Sequence, residues 1–214
     1  MKVYLFRHGQ TDWNIPHRMQ GNTDIPLNAL GLQQARTVAE KIKDLRFGAA
    51  FASPLSRAVV TAKILLGQDP DSDASARHQD ITLQTDDRLM EVGFGVEEGD
   101  YFEDVVADAA HPMYNFIKAP HQYIPPEGAE TLEEVWLRMK SFFDERVIPL
   151  EKSLPEAHVL IVSHGAAIRA LTCNLAGRPY AQFWGNTHMD NLALNLLAVS
   201  DGELVLLEEA KPML

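Results

Sequence analysis

Residues 2–14, KVYLFRHGQTDWN, join a short apolar run to an abruptly polar end. The run over residues 3–6 is typical of a short buried strand, and it stops at Arg7-His8-Gly9. Residues 28–45 follow with apolar side chains at helical spacing. A strand that leads into a helix predicts the first unit of an α/β fold, with a cation, an imidazole and a glycine where the strand ends.

Similar strand and helix patterns continue along the chain. Residues 48–52 form a second apolar run, and Ser53-Pro54 after it predicts a helix N-cap with proline at the first helical position. We expect a polar loop over residues 69–80 and an edge strand over residues 81–84. Further patterns predict helices over residues 55–66, 131–152 and 166–175, and strands over residues 158–162, 192–199 and 203–207.

The alternation of strands and helices favours an α/β sandwich with a mostly parallel, mixed sheet. The last two strands turn at Asp201-Gly202 and would add an antiparallel pair. Residues 96–128 do not fit the alternation. We expect residues 96–128 to form a segment that covers the edge of the sheet where ligands bind, and we call this segment the lid.

The charge and the cysteine content exclude some classes of protein. The chain has 19 Lys and Arg against 30 Asp and Glu, and its net charge of −11 argues against nucleic acid or an anionic membrane as a partner. No apolar run approaches the ~20 residues that span a bilayer. Cys173 is the only cysteine, so an intramolecular disulfide is excluded. We expect Cys173 to be a core residue of a cytoplasmic protein.

Polar residues recur where the predicted strands end. Arg7-His8-Gly9 ends the first strand, Arg57 lies in the first turn after the second, and Ser163-His164-Gly165 ends a later one. Ligands of α/β folds bind beyond the carboxyl ends of strands, so these residues have a reason to meet. Arginine matches phosphate oxygens, and nearby arginines would keep a histidine neutral and nucleophilic. The set predicts a pocket for a phosphoryl group.

A series of sequence blocks extends this pattern along the chain. In order they are FRHGQTDWN (6–14), QG (20–21), DIPLN (24–28), ASPLSRA (52–58), LMEVGFG (89–95), GAET (128–131) and VSHG (162–165). Together they resemble the histidine phosphatase superfamily, also called phosphoglycerate mutase-like. The resemblance implies a single domain over residues 1–214, with a three-layer α/β/α sandwich built on the mixed sheet.

The resemblance also implies a phosphohistidine mechanism. His8 would attack phosphorus, while Arg7 and Arg57 clamp the phosphoryl oxygens. His164 would donate a hydrogen bond to the same oxygens, and Glu91 would protonate the leaving oxygen and later act as a base. Fixed cations and donors replace a metal, and no cofactor is implied. The residues expected to bind substrate are Asn14, Gln20, Gly21 and Gly165.

The lid bears on the choice of reaction. It carries six carboxylates between residues 97 and 108 against one cation, Lys118, and would repel a highly charged bisphosphate. We therefore expect the phosphatase branch, with hydrolysis of a small phosphorylated metabolite and release of inorganic phosphate. Aromatic residues of the lid could contact the substrate: Tyr101, Phe102, Tyr114, Phe116 and Tyr123.

Two alternatives stay open, a cofactor-dependent phosphoglycerate mutase and a non-catalytic phospholigand-binding module. Binding alone would not require Glu91.

The chain also reads Gly95-Val96-Glu97-Glu98-Gly99 where many relatives have Gly-x-Trp-Glu-Gly, which puts lid packing and substrate choice in question. The six other histidines have no metal-ligand spacing, and a homodimer is left open. Three of these histidines could line the mouth of the site: His17, His111 and His121.

Overall fold

Six strands form the central sheet in a computed structural model of the chain, which describes residues 1–69, 78, 80–154 and 157–214. The strands are β1 (Lys2–Arg7), β2 (Phe47–Ala52), β3 (Leu83–Thr85), β4 (His158–Ser163), β5 (Leu194–Ser200) and β6 (Glu203–Lys211). Their order across the sheet is β3-β2-β4-β1-β5-β6. The first strand of the chain therefore lies in the interior of the sheet, next to β4.

The central strands end together at one edge of the sheet. β4 pairs in parallel with β1 on one side and with β2 on the other, so that Val162 lies opposite both Phe6 and Ala52. β3 continues the parallel part at the edge next to β2. β5 and β6 complete the sheet in antiparallel pairing. The predicted mixed sheet with an antiparallel final pair is confirmed.

Helices cover both faces of the sheet. Val159 and Ile161 of β4 belong to one buried cluster with residues of α5 and α6, whereas Leu160 and Val162 belong to a second cluster with residues of α1 and α2. Alternate side chains of one strand thus face two cores, which gives the predicted three layers. The helices are α1 (Ala29–Lys41), α2 (Ser56–Leu65), α3 (Phe102–Ala107), α4 (Tyr114–Lys118), α5 (Leu132–Phe142) and α6 (Gly165–Leu175).

Two helix predictions are corrected by the structure. The predicted helix over residues 131–152 is α-helical only to Phe142; a π-helical turn follows at Phe143–Val147 and a 3-10 helix at Ile148–Lys152. Pro149 has no N–H and cannot continue an α-helical ladder, which explains the change of helix type. Ser53 is not an N-cap either, because α2 begins at Ser56 after an N-cap at Leu55 that makes no side-chain bond.

The lid carries α3 and α4 and takes part in the core. Its Val105, Met113 and Phe116 are fully buried in the same cluster as α5 and α6. Of the predicted polar loop over residues 69–80, residues 70–77 and 79 lie outside the described part of the chain. Within the described part, no helix is both long enough and apolar enough to cross a membrane.

Candidate active site

The ends of β1 and β4 bring the two His-Gly steps together. The backbone N–H of His8 donates to the carbonyl of Ser163 at 3.0 Å, which fixes the chain after β1 against the end of β4. The ring centroids of His8 and His164 are 5.1 Å apart. Arg57, from the first turn of α2, donates through Nε to His164 Nδ1 at 3.3 Å. Three distant segments therefore meet at His8.

His8 has a defined tautomer and charge. Its Nδ1 lies 2.7 Å from the Gly9 carbonyl oxygen, which can only accept, so Nδ1 carries the proton and Nε2 keeps the lone pair. The side chain is 2% exposed. Burial lowers the pKa of His8 well below its ordinary value of 6.5, and the Arg57 and Arg7 guanidinium groups lower it further. His8 is thus a neutral imidazole with a free nucleophilic nitrogen.

His164 has the opposite tautomer. Its Nδ1 accepts from Arg57, so the proton lies on Nε2. Burial first, and then Arg57, lower the pKa of His164 well below 6.5 and keep the ring neutral. Nε2 is buried and has no acceptor in the described part of the chain. An unpaired buried donor costs about 1–3 kcal/mol, so this N–H is ready for an acceptor brought by a ligand.

Arg7 supplies a second unpaired donor. Its Nη1 donates to the Met189 carbonyl at 2.5 Å, while its buried Nε has no acceptor among the residues that the structure describes. A Cβ placed on Gly165 would lie 3.5 Å from this Nε, in ordinary contact. Unpaired donors of Arg7 and His164 therefore lie in the immediate surroundings of His8, in an arrangement that suits the oxygens of an anion.

Arg57 is fixed in advance by backbone carbonyls. Nη1 donates to Thr23 O at 2.8 Å, and Nη2 donates to Gly21 O at 2.7 Å. Burial lowers the pKa of Arg57 to about 10, although the carboxylates of Glu91 and Asp24 oppose the shift. Arg57 therefore remains a cation at pH 7 and is held in place before any ligand binds.

Glu98 of the lid holds the loop that binds Arg57. Its carboxylate accepts from the N–H groups of Asn22 at 2.8 Å and Thr23 at 2.9 Å, and from the Thr23 hydroxyl at 2.5 Å. Gly21 has φ = +52°, and a side chain there would collide with the Glu98 carboxylate. This attachment of the lid depends on Glu98. It does not involve position 97, where many relatives have tryptophan and this chain has Glu97.

Glu91 reaches the cavity from the segment after β3. Its Oε1 accepts from the N–H groups of Ala167 at 2.9 Å and Val92 at 3.0 Å, and its Oε2 accepts from Ala166 at 3.3 Å. The first turn of α6 thus orients the carboxylate. Arg7, Arg57 and Glu91 line the same cavity, and the charge of Glu91 raises the pKa values of both arginines against the effect of burial.

The four predicted binding residues have different positions. Asn14 Oδ1 accepts from the Thr11 N–H at 3.0 Å, and Gln20 Oε1 accepts from the Thr11 hydroxyl at 3.0 Å. Asn14, Gln20 and Gly165 line the cavity, whereas Gly21 lies behind Arg57 and contacts it through its carbonyl.

A segment that the sequence analysis missed closes the site from the other side. Asn191 Nδ2 donates to the His8 carbonyl at 3.0 Å and to Asn14 Oδ1 at 3.3 Å. Residues 184–191 line the cavity, and the Met189 carbonyl holds Arg7. A lone amide and a backbone carbonyl leave no recognisable sequence pattern, so neither could have been found without the structure.

The cavity at His8 has a volume of about 680 Å³, which leaves room for an organic group beside the phosphoryl group. None of the six lid carboxylates lines it, so the lid charge that we expected to repel a bisphosphate is not in the wall of the cavity. Glu98 binds the loop at Asn22 instead, and the lid contributes apolar side chains to the cavity. The apolar lining consists of Met19, Phe94, Phe102, Phe116, Ile117, Ala166, Trp184 and Met189.

Some of the residues expected at the mouth lie elsewhere. Tyr101, Tyr114 and Tyr123 are absent from the lining, and so are His111 and His121, whereas His17 is present and His188 joins it. The expected aromatic contacts are therefore available from Phe102 and Phe116.

One group of described side chains, Glu97, Asp100 and His111, brings potential metal ligands within 4.8 Å of one another. His111 Nδ1 accepts from the Met113 N–H at 3.1 Å, so Nε2 carries the proton that faces Asp100 Oδ2 at 3.3 Å. Hydrogen bonding to Asp100 raises the pKa of Glu97. The donor set therefore fits a hydrogen-bonded cluster within the lid better than it fits a cation.

The fold and the site together define an α/β protein whose histidines and arginines surround a pocket for a phosphoryl group. A family model described as "Histidine phosphatase superfamily (branch 1)" matches residues 3–210. The chain belongs to this superfamily.

Individual relatives carry both phosphatase and mutase names. The chain is 35% identical over 175 residues to "Uncharacterized phosphatase PhoE" of Bacillus subtilis, covering 82% of this chain and 77% of that protein. It is 34% identical over 183 residues to "Probable phosphoglycerate mutase GpmB" of an Enterobacter species, covering 85% and 78%. The structure of mycobacterial glucosyl-3-phosphoglycerate phosphatase with VO3 matches with a TM-score of 0.80 at 27% identity, covering 99% of each chain.

Proposed function

We propose that the protein is a phosphomonoesterase that works through a phosphohistidine on His8 and releases inorganic phosphate from a small phosphorylated metabolite. The observation that carries the proposal is the pair of unpaired buried donors, Arg7 Nε and His164 Nε2, beside the free Nε2 of His8. A phosphoryl group offers the acceptors that these donors lack, and it offers His8 an electrophile.

In the first step, Nε2 of His8 forms a bond to phosphorus while the bond from phosphorus to the ester oxygen breaks. Arg7, Arg57 and the Nε2–H of His164 stabilise the charge on the three remaining phosphoryl oxygens. The Glu91 carboxylate takes a proton from the monoanionic phosphate of the bound ester and gives it to the departing oxygen, so the product leaves as an alcohol.

In the second step, Glu91 is a carboxylate and takes a proton from a water molecule that attacks phosphorus. The bond from phosphorus to His8 breaks, and inorganic phosphate is released. The lone pair returns to Nε2, while Nδ1 keeps its proton throughout and donates it in a hydrogen bond to the Gly9 carbonyl. Glu91 passes its proton to the departing phosphate, so both residues are back in their starting protonation states.

The lining of the cavity supports hydrolysis over mutase activity. A bisphosphate would need further free cations at the site. The charges of the other two arginines of the cavity are directed elsewhere. Arg169 pairs with Glu209, although its Nε has no acceptor in the described part of the chain, and Arg18 stacks on Trp13 with its Nε on the Gly99 carbonyl. The apolar wall suits a substrate whose remainder is partly apolar.

The test is phosphoryl labelling and turnover of p-nitrophenyl phosphate in the presence of EDTA. We expect hydrolysis by the wild-type protein and an acid-labile phosphoenzyme after rapid quenching. His8→Ala should abolish both, whereas His121→Ala, at an exposed position of the lid, should retain them. A wild-type protein without turnover, or a His8→Ala variant with full turnover, would contradict the proposal.

The mutase alternative is tested with 3-phosphoglycerate. We expect release of phosphate to exceed formation of 2-phosphoglycerate, with and without added bisphosphoglycerate. Isomerisation faster than hydrolysis would reverse the assignment.

A further inference from the structure

Arg138 of α5 holds the segment that carries Glu91. Its Nη1 donates to the carbonyls of Arg88 at 2.8 Å and Met90 at 2.9 Å, and its Nη2 donates to the carbonyl of Glu91 itself at 2.9 Å. One guanidinium group thus binds three carbonyls within four consecutive residues. Arg138 does not line the cavity and cannot act on a substrate directly.

Glu130 orients Arg138 and also binds Gly93, which follows Glu91 in the segment. Its Oε1 accepts from Arg138 Nε at 2.7 Å, and its Oε2 accepts from Arg138 Nη2 at 2.9 Å, a bidentate geometry. The same Oε2 accepts from the Gly93 N–H at 2.8 Å, while the Glu130 N–H donates to the Gly93 carbonyl at 2.9 Å. The pair therefore binds the segment on both sides of Glu91.

Other contacts hold this segment on either side of Glu91. Residues 90–94 follow a 3-10 turn at Asp87–Leu89 and join no strand of the sheet, but Val92 is fully buried and Phe94 pairs with Ala129 in an isolated bridge. Ser163 Oγ holds the Leu89 carbonyl at 2.8 Å, which anchors the segment before Glu91 but not at it. Among the described side chains, Arg138 is the one that binds the Glu91 carbonyl, which fixes the backbone from which the carboxylate extends.

We propose that Arg138, oriented by Glu130, is a positioning residue that sets Glu91 for proton transfer to the leaving oxygen. The proposal rests on the proposed function. A displaced Glu91 would still leave His8, Arg7 and Arg57 in place. In the transfer of the phosphoryl group to His8, the loss should therefore fall on esters that need a proton donor and spare those whose alcohol leaves readily as an anion.

The experiment compares kcat/KM for p-nitrophenyl phosphate and for a simple alkyl monophosphate in wild type, Arg138→Lys and Arg138→Met, with Glu91→Gln as the reference. For Arg138→Met we expect kcat/KM on the alkyl ester to fall about 10- to 100-fold, with a loss of about threefold or less on the aryl ester. This ratio excludes hydrolysis of the phosphohistidine, which both esters share and in which Glu91 also takes part. Arg138→Lys should recover part of the alkyl activity, since an ammonium group can still bind some of the carbonyls.

Arg88→Met is the matched control. Arg88 also ties this region to Ser141 of α5 at 3.0 Å and to Glu145 of the π-helical turn at 2.8 Å, but its side chain does not bind the segment after Met90. The Arg88→Met variant should be less stable than wild type, but any loss of activity should be the same for the aryl and the alkyl ester. Glu130→Gln keeps the proposal testable if Arg138→Met does not fold, and it should show the same preference for the aryl ester.

The outcomes separate the two proposals. Equal losses on both esters in Arg138→Met and Glu130→Gln, or the same ester preference in Arg88→Met, would overturn the role of Arg138 while leaving the phosphatase intact. A wild-type protein that hydrolyses neither ester would overturn both.

Discussion

His8 and His164 are neutral because of where the fold buries them, and this has a consequence for stability. In the unfolded chain both would titrate near 6.5, whereas burial and the neighbouring arginines lower both pKa values in the folded protein. Below pH 6.5 the unfolded state therefore binds more protons than the folded state. The stabilising effect is complete above pH 6.5 and is lost as the pH falls toward the folded pKa values.

We therefore predict that the free energy of unfolding falls between pH 6.5 and pH 5, by about 1.4 kcal/mol per pH unit for each of the two histidines. Urea denaturation across this range measures the slope, and His164→Asn should reduce it. NMR titration of the ring protons of His8 and His164 gives a direct check. Titration of His8 in the folded protein near pH 6.5 would contradict the prediction.

The residues that the sequence could and could not reveal differ in how they act. The sequence blocks that contain Arg7, His8 and Arg57 are recognisable because the side chains of these residues themselves line the pocket. Arg138 and Asn191 work through hydrogen bonds to the carbonyls of other residues, and such contacts leave no pattern in one sequence. Their contribution became visible only with the backbone in place.

Among the elements, the lid has a different role from the one that its charge indicates. The composition of residues 96–128 predicts an electrostatic barrier, yet Glu98 is a structural acceptor that holds the Arg57-binding loop. The direction of a side chain cannot be derived from composition, and this limits prediction at the scale of elements. The same holds for α5, whose apolar spacing continues through Val147 although the helix type changes after Phe142.

For Glu98→Ala we predict a rise of about tenfold or more in KM for p-nitrophenyl phosphate and in the inhibition constant of inorganic phosphate. Loss of the carboxylate leaves the N–H groups of Asn22 and Thr23 without their acceptor and loosens the carbonyls that bind Arg57. Steady-state kinetics measure both constants. Glu103→Ala, at an exposed position of the same lid, is the control. Equal effects of the two substitutions would show that lid charge, and not the bond from Glu98, sets affinity.

For the whole molecule, the site and the stability should be coupled through phosphate. The folded protein offers unpaired donors at Arg7 and His164 that the unfolded chain cannot arrange, so the anion binds the folded state selectively. At a concentration 100-fold above its dissociation constant, phosphate should add about 2.7 kcal/mol to the free energy of unfolding. We predict a rise of several degrees in Tm with phosphate, in one cooperative transition if residues 1–214 form a single domain.

Arg57→Met should abolish this rise, because it removes a central cation of the pocket. Arg36→Met on the surface of α1 is the control and should retain the full rise. An equal shift in both variants would place the bound phosphate outside the site at His8.

The anchor of Arg7 also dictates when the pocket can exist during synthesis. Its Nη1 is held by a carbonyl 182 residues further along the chain, and the Asn191 bond to the His8 carbonyl spans a similar distance. A ribosome that has translated His8 must therefore still produce most of the polypeptide before the nucleophile is enclosed. Truncated translation products that end before residue 189 would carry the complete His8 motif and yet lack the contacts that hold it, so they would have no phosphatase activity.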